Sequence, residues 1–153
     1  MMNPEILLLQ RKIADYPEQI DRMQKRYSLV MAPKAATIES AIKGLNAYII
    51  QLKVNSSSFT KTGASISADL ERLEQMIQEE TAGGKELSES LQMSLVQLQH
   101  ASATVETYIR SIDAQLDSAR TALETLTLAQ KHKKTLDVVN LLSMIEKGDG
   151  YKV

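Results

Sequence analysis

The sequence predicts an all-α fold: an elongated antiparallel helical bundle or coiled coil, with one long helix in the C-terminal half. Three observations predict it. Positions Leu91, Leu98, Val105, Ile112, Ala119 and Leu126 repeat every seven residues, and Leu95, Ser102, Ile109, Leu116, Leu123 and Gln130 follow each by four. This 3-4 spacing marks a helix laying one stripe against other helices. Second, no Pro or Gly interrupts residues 85–147. Third, only 4% of the chain is aromatic, with no Trp and one Phe, so the core must come from Leu, Ile, Val, Met and Ala. Three Pro and six Gly are too few for the turns of a many-stranded protein.

The elements follow in chain order, within one helical domain spanning 1–153. Asn3, Pro4 and Glu5 read as a helix start: a cap, a first-turn proline, and an acid near the positive helix end. Ile6, Leu9, Ile13, Tyr16, Ile20, Met23, Tyr27 and Val30 then step by three and four. Pro17 lies inside this pattern, where it removes one backbone hydrogen bond at a cost of roughly 3 kcal/mol. The stripe stays in phase across it, which favours a kink over a break. Beyond Pro33, the residues Ile38, Ala41, Leu45, Tyr48 and Leu52 resume the spacing. Helical arms are therefore expected over 4–53, bent or broken near Pro33. Gly44 either weakens the second arm or marks a close approach of another helix.

Residues 54–66 read as a loop, because Asn55, Ser56, Ser57, Ser58, Thr60, Thr62, Gly63 and Ser65 show no helical period. Phe59 within it either folds back on the bundle or offers a docking point to a partner. A short helix over 67–82 follows, with Ser67 as its cap, Asp69 and Glu71 in its first turn, and Gly83-Gly84 as its stop. The long helix is expected over 85–130, a length of about 68 Å at roughly 1.5 Å per residue. A compact globule of this size would be roughly 40 Å across. Thr135 and Asp137 look like a new cap, opening a terminal helix over 136–147 that Gly148 and Gly150 end.

One flank of the long stripe (Ser94, Ala101, Tyr108, Gln115, Ala122, Ala129) is small and nearly uncharged. Two-stranded coiled coils place charges there, so the long helix should touch more than one neighbour, within the chain or by self-association. Leu91, Leu95, Leu98, Val105, Ile109, Ile112, Leu116, Leu123 and Leu126 are the candidate interaction stripe.

Chemistry is sparse. Without Cys, disulfides, thiolate catalysis and Cys-based zinc sites are excluded. His100 and His132 have no carboxylates at ligand spacing, and Glu71/Glu74 and Glu86/Glu89 lack the histidine of an inward Glu-x-x-His pair. No catalytic residues, metal or cofactor are expected, and the chain is not expected to be an enzyme. No run approaches the roughly 20 apolar residues of a membrane span. No signal core is visible either, so a cytoplasmic protein is expected, with signal-less export as the alternative.

Net charge is −1, yet residues 67–90 carry seven acidic and two basic side chains, against one acidic and four basic over 32–66. Lys131, Lys133 and Lys134 sit where a helix C-terminus is expected, and offer a possible anion contact.

Ala32-Pro33, Ile38-Glu39, Lys43-Gly44 and Tyr48, preceded by a helix carrying Ile20, Met23 and Tyr27, resemble the helical hairpin of phage Gam-type host-nuclease inhibitors. That resemblance covers 20–48 and implies a dimer that binds duplex DNA ends. Members of that family continue into β-strands, whereas this chain continues into helix. No site residue carries over. The function expected from the residues themselves is a scaffold, adaptor or structural subunit of a phage or bacterial assembly, working through protein partners or homo-oligomer contacts. A DNA-end-binding inhibitor and an exported component of a secretion or injection assembly are the alternatives.

Overall fold

The structure is a computed structural model, and it describes residues 4–84 and 86–146. Four helices, with no strand among the described residues, make up the fold: α1 (Pro4–Ser28), α2 (Ile38–Ala82), α3 (Glu89–Lys131) and α4 (Val138–Glu146). The expected Asn3 cap, the opening at Lys85 and the Gly148/Gly150 stop fall outside the described residues.

Helix α1 runs unbroken through Pro17. Ile13 and Tyr16 before the proline and Ile20 and Met23 after it are all buried, so packing on both sides holds the helix across the missing hydrogen bond. Pro33 lies in a genuine break. Residues 29–37 are non-helical and lead to Thr37, whose side chain accepts a hydrogen bond from the Ser40 backbone N–H to start α2. Val30, Ala32 and Ala35 of this strap rest on the core. Gly44 marks where it passes: a Cβ there would lie 2.7 Å from the Pro33 Cβ. The close approach anticipated at Gly44 is therefore to the strap, and not to another helix.

The loop expected over 54–66 and the separate short helix over 67–82 are both absent. Helix α2 passes through the whole stretch. Low local propensity lost to tertiary packing. Leu45, Leu52, Phe59, Ile66 and Leu73 recur every seven residues and are each 0% exposed. The polar residues between them are accommodated by their own helix, with Asn55 Nδ2 donating to the Gln51 carbonyl and Ser58 Oγ to the Val54 carbonyl. Gly63 lets α3 close in, since a Cβ there would be 3.2 Å from Val105 Cγ1. Gly84 stops the chain after α2 with φ +79°, a left-handed conformation that suits glycine.

Helix α3 begins four residues later than expected, because Ser88 caps it by accepting from the Leu91 backbone N–H. It ends at Lys131, and Lys133 takes a left-handed φ of 55°. Asp137, rather than Thr135, starts α4: its carboxylate accepts from the Asn140 backbone N–H.

Side-chain pairings fix the directions. Phe59 stacks on Tyr108 and Gly63 lies by Val105, so α2 and α3 are antiparallel. Tyr16 meets Ser65 and Tyr27 meets Phe59, so α1 is antiparallel to α2. Helix α1 packs on α2 and α3, α4 packs on the same two helices, and α1 and α4 do not touch each other. α1 spans one half of the α2–α3 pair, its side chains meeting α2 from Phe59 to Arg72; α4 and the strap lie at the other end. One continuous core runs through both halves.

Candidate interaction surface

The candidate stripe of α3 is consumed inside the molecule. Leu91, Leu98, Val105, Ile112, Leu116 and Leu126 are buried, and Leu95, Ile109 and Leu123 are half-buried against the same core. The burial is shifted toward the small flank, where Ser94, Ala101, Ala122 and Ala129 are buried as well. Alanines and a serine there let the helices approach closely, and their small size hides them from a reading weighted toward large apolar residues. The stripe is therefore closed to any outside partner.

Phe59 is fully enclosed, which removes it as a surface docking point. Its ring stacks on Tyr108 at a centroid separation of 5.0 Å, and Tyr27 meets both rings edge-on at 6.3 and 6.1 Å. Such pairs contribute about 0.5–1.5 kcal/mol each beyond area burial. The Tyr27 hydroxyl reaches across to Ser111 and donates to Gln115 on α3. Burial is the main cause that raises the pKa of Tyr27 and of Tyr108 above the ordinary phenol value, with the field of Asp21 adding to the latter.

A second polar site joins α1 to α2, and the sequence gives little sign of it. Asp69, read as a first-turn acid, is buried in mid-helix. Its carboxylate accepts from the Tyr16 hydroxyl and pairs with Lys12 Nζ at 3.0 Å, while Ser65 Oγ lies 2.8 Å from the same hydroxyl. Burial, reinforced by the neighbouring Asp69, pushes Tyr16 up to about 12. Gln10 adds a third tie, donating to Ser90 and Ser94 of α3. Buried polar groups satisfied this way fix register, because a slip of one turn would strand each of them without a partner.

Lys131, Lys133 and Lys134 are exposed at the end of α3, as are His100 and His132. Backbone N–H groups of His132 and Lys134 bond the carbonyls of Leu128 and Ala129, so this run closes the helix. Among the described residues, no group of three or more His, Asp or Glu is placed to hold a metal ion, and no helix is long and apolar enough to cross a membrane. Compared with protein-family models, with curated proteins and with solved structures, the chain matches none.

Proposed function

We propose that the protein is a non-catalytic helical interaction protein, an elongated bundle acting as scaffold, adaptor or structural subunit of a larger assembly. One observation carries this reading. Helices of 45 and 43 residues, about 67 and 64 Å long at 1.5 Å per residue, share a single core that the chain closes by itself. Paired helices of that length give a stiff body with long lateral faces, which suits spacing and holding other proteins. Apolar side chains stand out on those faces: Ile50 and Val54 one turn apart on α2, and Met93 and Val96 on α3. Large exposed apolar groups at helical spacing are where a partner helix gains most by burial, at roughly 25 cal/mol per Å².

Photo-crosslinking residues placed at positions 54 and 96 test this in cells. Adducts of defined mass are expected from both, weakening when Ile50 or Met93 is changed to Glu. Background labelling alone, equal to that from an exposed polar position such as Asp113, would overturn the proposal.

A further inference from the structure

We propose that the cleft between α1 and α2 binds a compact ligand carrying two or more phosphate groups. The cleft has a volume of about 740 Å³, within the usual range for small-molecule sites. Its walls are cationic: Arg22, Lys25 and Arg26 come from α1 and Lys61 from α2, with Ser58 and Thr62 adding hydroxyls. Lys25 is paired with Asp21 at 3.0 Å. Among the described residues, no carboxylate lies within ion-pair distance of Arg22, Arg26 or Lys61. Asp21 is held by Lys25, at the edge of the cleft.

Concentrating these charges works against the fold. Arg22 and Arg26 are i, i+4 neighbours, a spacing at which like charges destabilise a helix by a few tenths of a kcal/mol. The chain has 19 acidic residues to its 18 basic ones, so carboxylates are not in short supply. Asp21 neutralises Lys25 alone, and Arg22, Arg26 and Lys61 are left for an external anion. Arg22 and Arg26, whose Cα atoms are about 6 Å apart along the helix, each offer a guanidinium fork that can take two oxygens, and Lys61 adds a point charge from the facing wall. Ser58 Oγ now donates to its own helix and Thr62 Oγ1 to the Met23 sulfur; both hydroxyls can turn to a better acceptor.

Shape and charge favour a compact ligand over a surface or a long chain. The cations come from two helices around one open groove, which suits a small polyanion, whereas a lipid surface needs them on a protruding face. Three unpaired cations in the groove also fall short of the extended basic track that supplies the affinity for a long nucleic acid.

Calorimetric titration of the full chain with tripolyphosphate tests the site, with pyrophosphate and orthophosphate alongside. Saturable binding is expected, strengthening from ortho- to tripolyphosphate. Arg22→Gln with Arg26→Gln should weaken it about tenfold or more, and Lys61→Gln by a smaller factor. Because these side chains are exposed and mutually repelling, the variants should melt no lower than the parent. Lys131→Gln with Lys134→Gln should bind as the parent does. Absence of saturable binding overturns the proposal, as does equal weakening by the Lys131/Lys134 pair. Tighter binding of a single-stranded oligonucleotide, or of phosphatidylcholine–phosphatidylserine vesicles, through Arg22 and Arg26 would overturn the compact-ligand class.

Discussion

Asp69 concentrates the residue-scale chemistry of this fold. A carboxylate that is buried beside apolar helix faces persists only because Lys12 and Tyr16 meet it. Lys12 is half exposed, so the pair gains less than an enclosed one, but the carboxylate it serves is not. Lys12→Ala is expected to cost about 1–3 kcal/mol in denaturant unfolding, chiefly by stranding Asp69. Tyr16 makes a pH-dependent contribution of known sign. Its folded value of about 12 lies above the ordinary 10.0, so the native state holds the phenolic proton more tightly. Stability from this group is intact below about pH 10 and lost as the pH rises toward about 12. Tyr16→Phe should flatten the fall in melting temperature across that window; an unchanged slope would contradict the assignment. None of this was legible from spacing, since Asp69 behind Ser67 has the pattern of an ordinary helix start. What separates the two readings is a partner 57 residues away in the chain.

At the scale of elements, α1 and the end of α3 were legible because local signals and packing agree there, while Pro33 marked a bend or a break and the structure has a break. The stretch 54–66 was not, because they conflict. Ser, Thr, Asn and Gly argue for a loop, while Leu45, Leu52, Phe59, Ile66 and Leu73 carry a seven-residue repeat straight through it. Burial of large side chains outweighs a few tenths of a kcal/mol per residue of propensity. Ser57 is exposed within this stretch and discriminates between the two states. Ser57→Ala should stabilise a helix by up to about 0.5 kcal/mol, and Ser57→Pro should cost about 3 kcal/mol. A loop would be nearly indifferent to both in a thermal melt. Gly44→Ala makes a converse case. The substitution favours the helix by about 1 kcal/mol, yet its methyl would sit 2.7 Å from the stiff Pro33 ring. A lower melting temperature is expected, as the strap is pushed away.

For the molecule as a whole, two long helices are each completed by different partners along their length, α1 over one half and α4 with the strap over the other. The sequence indicated more than one neighbour through the uncharged flank of α3, but not that two separate elements would share the task. Because α1 and α4 do not touch, their opening should be independent. Tyr16→Ala should speed amide exchange in α1 and in the facing parts of α2 and α3, leaving α4 unchanged; coupled loss in α4 would contradict this division. The continuity of α2 matters most, since the cleft and the polar seam along α1 depend on it. The chain has no Cys, so Ser40→Cys and Gln78→Cys, both at exposed positions of α2, can be spin-labelled cleanly for a pulsed dipolar distance measurement. An unbroken helix places their Cα atoms about 57 Å apart, in one narrow distribution. A broad or much shorter distribution would mean that the chain turns between residues 54 and 66, and the architecture described above would be wrong.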